Sequence, residues 1–142
     1  MKKYKNVYVI GVFDLFHLGH VRILKNARQL GENLIVAING DKLVSTYKRP
    51  PIYSETERLE IIKACRYVDT AFIVQDYDNK CYLEKYNIDV IVHGDDWERS
   101  NYLKQIRVSE EYLKSKNIDL LFLPYTEGIS SSELIRKIKS SG

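Results

Sequence analysis

Two of the chain's three histidines, His17 and His20, flank Gly19 in the segment Gly11-Val12-Phe13-Asp14-Leu15-Phe16-His17-Leu18-Gly19-His20. Imidazoles at i and i+3 near a helix start lie on one side of the first turn, where each can present an N–H to the same polyphosphate. Free backbone N–H groups and the helix dipole favour negative charge at that place, and a glycine lets phosphate come close to the backbone. Displacement at phosphorus in a nucleoside triphosphate builds charge on bridging and non-bridging oxygens. Donors fixed there stabilise the transition state more than the substrate, and no nucleophilic side chain is needed. An isolated His-x-x-His is equally an incidental pair at a strand end or a fragment of a metal site. The apolar run Val7-Tyr8-Val9-Ile10 before it, with Asp14 and Gly19 beside it, favours a nucleotide site.

Three further clusters carry chemistry. Tyr47-Lys48-Arg49-Pro50-Pro51 places two cations beside a stiff proline pair, ahead of a predicted helix bearing Arg58; the three cations could close over a triphosphate, or simply face solvent. Val92-His93-Gly94-Asp95-Asp96-Trp97 combines a turn-forming glycine, two acceptors and a large flat ring. Trp97 reads alternatively as core, and His93 as a satisfied strand-end histidine. Thr126-Glu127-Gly128-Ile129-Ser130-Ser131-Ser132 has a turn glycine, an apolar anchor in Ile129, and hydroxyls that open a last helix toward an anion. Ser54 followed by Glu57 is a helix capping box with a structural role.

These clusters need a scaffold that brings them to one edge. Val7–Ile10, Leu34–Ile38, Ala71–Val74, Val90–Val92 and Leu120–Leu123 read as near-continuous apolar strands of the kind buried on both faces of a parallel sheet. Val21–Leu30, Thr56–Ala64, Tyr82–Tyr86, Tyr102–Lys116 and Ser131–Lys139 read as helices between and after them. The alternation predicts an α/β fold, a single Rossmann-like doubly wound parallel sheet of five strands with helices on both faces. Ligands of such sheets sit beyond the carboxyl ends of the strands, the side on which Asp14, His17, Asp41, Gly94 and Asp95 fall.

Composition narrows the class. With 142 residues and 44% hydrophobic content, one core is the economical reading, a single domain over 1–142. The net charge of +3 is spread along the chain and the tyrosines are scattered, which argues against a nucleic-acid groove and suits a small anionic substrate. No apolar run approaches the ~20 residues of a membrane span, and Met1-Lys2-Lys3 does not open a signal pattern, so no membrane insertion is expected. Cys65 and Cys81 lack metal-ligand spacing and read as reduced thiols of a cytoplasmic protein.

The stretch from Gly11 to His20 resembles the H-x-G-H signature of the nucleotidyltransferases, and in its G-x-F-D-L-F-H-x-G-H form it is similar to the cytidylyltransferase branch. That branch includes enzymes acting on glycerol 3-phosphate, phosphocholine and phosphoethanolamine. Tyr125-Thr126-Glu127-Gly128-Ile129-Ser130-Ser131-Ser132 resembles the family's second signature, in the expected order and far along the chain. The resemblance implies strand order 3-2-1-4-5, CTP as substrate and a divalent cation, magnesium, whose ligands it does not specify. It implies His17, His20, Lys48 and Arg49 at the phosphates of CTP and the second substrate, without saying which of the two cations holds the key position. Nucleotide contacts fall to Gly11, Phe13, Asp14, Gly19, Gly94, Asp95, Thr126, Gly128, Ile129, Ser130 and Ser131, and acceptor contacts to Asp41, Arg58, Trp97 and Tyr125.

The resemblance also implies CMP transfer to a small phosphorylated alcohol with release of pyrophosphate, glycerol 3-phosphate foremost. Arg66-Tyr67-Val68-Asp69 resembles a subunit interface and implies a homodimer. Tyr125 departs from the arginine common in the glycerol-phosphate branch. Together with Tyr47-Lys48-Arg49-x-Pro51 and Val92-His93-Gly94-Asp95-Asp96-Trp97, its segment is also similar to phosphonate-pathway cytidylyltransferase domains, so a phosphonate, phosphoethanolamine or another polyol phosphate stays open as acceptor, with a cell-surface polymer precursor as product. An ATP-using adenylyltransferase and a non-catalytic nucleotide-binding module are the competing classes.

Overall fold

The computed structural model describes residues 3–124 and 129–141. Five strands, β1 (Tyr4–Gly11), β2 (Gly31–Asn39), β3 (Thr70–Val74), β4 (Val90–Gly94) and β5 (Asp119–Leu123), form an all-parallel sheet in the order β3-β2-β1-β4-β5. Each expected apolar run is one of these strands, and the expected order is the observed one. The order reverses between β1 and β4, so their carboxyl ends diverge into the crevice where ligands of doubly wound sheets bind.

Strand periodicity assigns the two faces. Tyr8, Ile10, Ile35, Ala37 and Ile91 point to one side, where they pack with Leu43 of α2 (Asp41–Ser45), Leu83 of α4 (Lys80–Lys85), Tyr102 and Leu103 of α5 (Arg99–Gln105) and Leu113 of α6 (Glu110–Lys116). Val7, Val9, Leu34, Val36, Ile38, Val90 and Val92 point to the other, against Leu24 and Ala27 of α1 (Leu18–Arg28) and Ile62 of α3 (Glu55–Lys63). The last helix, α7 (Ser131–Ser141), follows β5.

Two helical expectations are corrected. The stretch Tyr102–Lys116, expected as one helix, is two: α5 ends near Ile106, Arg107 takes a left-handed φ of 59°, and Ser109 caps α6 by accepting the Tyr112 N–H. Burial of Ile106 and Val108 at the break, with two glutamates opening α6, makes two short helices better than one. The short α2 lies outside the helices read from the sequence; Gly40, extended with φ −67° and ψ 163°, starts it immediately after β2. The capping box Ser54–Glu57 is present at the start of α3.

Leu24 is fully buried between α1 and the sheet, so Leu24→Ala should lower unfolding free energy by about 2–5 kcal/mol. Chemical denaturation checks it, and a loss under about 1 kcal/mol would mean that α1 is not pinned as described.

Candidate active site

The amino terminus of α1 is capped by histidines in place of the usual hydroxyl or carboxylate. His17 is the N-cap: its Nδ1 accepts the Gly19 N–H at 3.1 Å, while Nδ1 of His20 reaches back to accept the His17 N–H at 3.2 Å. An Nδ1 that accepts a backbone N–H carries no proton, so each neutral ring holds its proton on Nε2. Both rings line the cleft, and neither Nε2 has a hydrogen-bond partner among the described residues. The rings stack with centroids 3.8 Å apart. Gly19 is required by this packing, since a Cβ there would stand 2.9 Å from Cε1 of His17. Phe13, in a left-handed conformation with φ 56°, folds its ring against Gly11 and sets its edge on His20, while Phe16 stacks on the same imidazole.

Burial lowers the pKa of His20 to about 3, and the charges of His17 and Lys48 push the same way against Asp14. Burial also lowers that of His17. The pair is therefore neutral at physiological pH and acts as hydrogen-bond donors and not as cations.

Behind the histidines the loops are tied by two buried charged groups. Burial works against an ionised Asp14, but the N–H groups of Tyr53 and Ile52 and the Arg49 guanidinium outweigh it and hold its pKa below the usual range. The two N–H bonds are 2.9 and 2.7 Å, and the Arg49 contact is 3.1 Å. Ser131 Oγ, at the start of α7, donates to the Asp14 carbonyl at 2.6 Å and brings that helix end to the first loop. Arg58, wholly buried, donates to the carbonyls of Val12, Asn39 and Tyr53 and to the Asp41 carboxylate at 2.7 Å. The loops after β1 and β2 and the segment before α3 thus share one guanidinium.

The elements enclose a cleft of about 360 Å³ at the carboxyl ends of the strands, a size ordinary for a small-ligand site. Of the residues singled out in the sequence, Gly11, Phe13, Asp14, His17, Gly19, His20, Lys48, Arg49, Gly94, Trp97, Ile129, Ser130 and Ser131 line it. Ser130 caps α7, its Oγ accepting the Glu133 N–H at 3.1 Å. Lys48 takes part in no salt bridge among the described residues, and partial burial, with Arg49 nearby, lowers its pKa against Asp14 and Asp96. Arg58, Asp41 and Asp95 do not line the cleft. Arg58 and Asp41, expected at the acceptor, pair with each other, the guanidinium buried and the carboxylate half-exposed. Tyr125, Thr126 and Gly128 lie outside the described residues.

His93 lines the cleft, its ring in a three-ring cluster with Trp97 and Tyr102. Burial lowers its pKa, opposed by the Gly94 carbonyl and Asp96. Sequence reasoning missed the wall made by Asp76, Tyr77, Asn79, Tyr102, Gln105 and Ile106. These residues come from the β3–α4 connection and from α5, and nothing in their spacing marks them. Among the described residues no cluster of three or more His, Cys, Asp or Glu is placed to hold a metal ion. Asp14, the acidic group nearest the histidines in sequence, is spent on Arg49 and two N–H groups.

Two neutral imidazoles, a lysine without a salt bridge among the described residues and the starts of α1 and α7 meet in this cleft, and the fold carrying it is that of nucleotidyltransferases. The family model for cytidylyltransferase-like proteins matches residues 8–137, and the chain belongs to that family. The chain is 35% identical over 136 residues to the glycerol-3-phosphate cytidylyltransferase of Bacillus subtilis (strain 168), covering 94% of this chain and 97% of that one. It is 36% identical over 138 residues to the ethanolamine-phosphate cytidylyltransferase of Dictyostelium discoideum, where it spans 96% of this chain but 37% of the relative. Among solved structures, a lipopolysaccharide core biosynthesis protein from Thermoplasma volcanium GSS1 superposes with a TM-score of 0.73 at 25% identity, over 87% of this chain and 98% of that one.

The depressed His20 pKa sets a pH dependence. Above about pH 6.5 the ring is neutral in both folded and unfolded chains. As pH falls from there toward 3, the unfolded chain binds a proton that the folded one refuses, and stability drops. Thermal melts between pH 7.5 and 4.5 should show Tm falling below pH 6.5, with a shallower fall in His20→Gln. Equal slopes would contradict the burial of a neutral ring.

Proposed function

We propose that this cleft transfers CMP from CTP to a small phosphorylated alcohol, with glycerol 3-phosphate the preferred acceptor. The observation that carries the reading is the reciprocal histidine cap, which commits both Nδ1 atoms to the backbone and leaves two Nε2–H donors in a phosphate-sized cleft. An oxygen of the acceptor phosphate attacks the α-phosphorus of CTP. The new P–O bond forms as the bond from that phosphorus to the bridging oxygen breaks, and pyrophosphate leaves with the electron pair. The acceptor is already ionised near neutral pH, so a strong general base is unnecessary. His17 and His20 donate to the oxygens that gain charge, Lys48 adds a cation, and the start of α7 at Ser130 faces the polyphosphate.

The described residues do not form a cradle for the expected magnesium, which would enter bound to the phosphates of the nucleotide. Similarity to the Bacillus relative over nearly the full length of both chains supports glycerol 3-phosphate, and similarity to the Dictyostelium enzyme supports phosphoethanolamine as the second candidate. The reading carries a homodimer through Arg66-Tyr67-Val68-Asp69, where the Arg66 guanidinium stands over the Tyr67 ring. Among the described residues no helix is long and apolar enough to cross a membrane.

Pyrophosphate release should require CTP over ATP and a phosphorylated acceptor. His17→Ala and His20→Ala should each lower kcat by roughly 10²–10³-fold, the cost of removing one fixed transition-state donor. A rate near wild type in either variant, in folded protein, would remove the histidines from the chemistry.

A further inference from the structure

The three histidines do not present the same edge to the cleft. His17 and His20 give their Nδ1 atoms to backbone N–H groups, which puts their protons on Nε2. His93, near the end of β4, is turned the other way: its Nδ1 lies 3.3 Å from the Gly94 carbonyl oxygen and 3.9 Å from Oδ1 of Asp96. A carbonyl and a carboxylate only accept, so the proton of the neutral ring sits on Nδ1 and its Nε2 carries a lone pair. Gly94 leaves room for this arrangement, since a Cβ there would stand 3.1 Å from the same Asp96 oxygen. Burial lowers the His93 pKa against the opposing pull of the Gly94 carbonyl and Asp96, and the ring is neutral at physiological pH.

Nε2 of His93 has no hydrogen-bond partner among the described residues, and 23% of the side chain is accessible where the residue lines the cleft. The Nδ1 edge is taken by the turn, and the Trp97 and Tyr102 rings stand beside the imidazole with centroids 6.2 and 4.6 Å away. The Nε2 edge is what remains open to a ligand. A lone pair there repels the ionised oxygens of a phosphate, which offer only lone pairs of their own, and it matches an O–H or N–H on the organic part of a substrate. The carboxylates that line the same cleft are placed differently: Asp14 is committed to Arg49 and two N–H groups, and Asp76 and Asp96 are exposed. A substrate donor buried without an acceptor would be costly, so the cleft needs one.

We propose that His93 is a substrate-binding residue whose Nε2 accepts a hydrogen bond from an uncharged O–H or N–H, so that two histidines serve phosphate and the third, with opposite polarity, serves the organic part. Two sources carry that chemistry, the nucleoside of CTP and the hydroxyls of a polyol acceptor. The identity of these ligands rests on the cytidylyl transfer proposed above.

The test is long-range proton–nitrogen correlation NMR on the wild-type chain, free and with inorganic triphosphate, CTP or CDP-glycerol. Free protein should show an Nδ1–H tautomer for His93. Triphosphate should move the Nε2 signals of His17 and His20 and leave that of His93. A nucleotide should move the His93 Nε2 signal upfield, as a lone pair that gains a donor does. A shift with CTP assigns the donor to the nucleoside, and a shift with CDP-glycerol alone assigns it to the acceptor. His93→Phe should then raise the KM of the substrate so assigned roughly three- to tenfold, the loss expected for one neutral hydrogen bond, and leave the other KM unchanged. An Nε2–H tautomer in the free protein, a His93 signal moved by triphosphate, one unmoved by either bound nucleotide, or equal rises in both KM values overturns the assignment while cytidylyl transfer stands. The predicted His93 response in a protein that releases no pyrophosphate keeps the assignment and removes the transfer, and a chain that binds neither nucleotide loses both.

Discussion

The site depends on a reciprocal exchange at one helix end. The first N–H groups of any helix lack intrahelical partners, and here two of these positions are satisfied by imidazole nitrogens. The exchange fixes ring orientation and tautomer together, because a ring nitrogen that accepts a backbone N–H sends its proton to the opposite edge. Gly19 is the condition for it, since any side chain there would strike His17. The two aromatic contacts of His20 strip it of water and keep it uncharged. A neutral donor suits a site that must bind polyphosphate and release it, because the interaction strengthens as charge builds on oxygen.

This cap would be of little use on a mobile loop. The strand ends around it are joined by Arg58 and Asp14, whose hydrogen bonds reach from the first loop to the second, to the segment before α3 and, through Ser131, to α7. Each buried carbonyl left without its guanidinium donor would cost on the order of 1–3 kcal/mol, so the shared charge adds to the apolar packing of Phe13 and Leu43 in holding the loops. Arg49 is drawn into this lattice by Asp14, whereas Lys48 beside it keeps its charge available to the cleft.

The sheet was legible because each strand is an apolar run buried on two faces, a pattern that survives without tertiary knowledge. The helix boundary at Arg107 was hidden because Tyr102–Lys116 keeps helical composition across the break; the signal that marks it is Ser109 with two glutamates after it. The histidines and serines were visible through their spacing at predicted helix starts. Arg58 and Asp41 were singled out by charge type, which suggests a ligand as readily as the ion pair the two make with each other. The tyrosine and asparagine wall was invisible. Asn79 and Tyr102 meet only through the crossover that lays α4 and α5 on the same face of the sheet, and no local pattern announces that meeting.

The central claim is that His17 and His20 are neutral donors with their protons on Nε2. Long-range proton–nitrogen correlation NMR on the folded chain, titrated from pH 8 to 4.5, reads tautomer and charge for each ring directly. The account predicts Nε2–H signals for both at neutral pH and no protonation of His20 across the range. An Nδ1–H tautomer for either ring, or a His20 that titrates near 6.5, would contradict it.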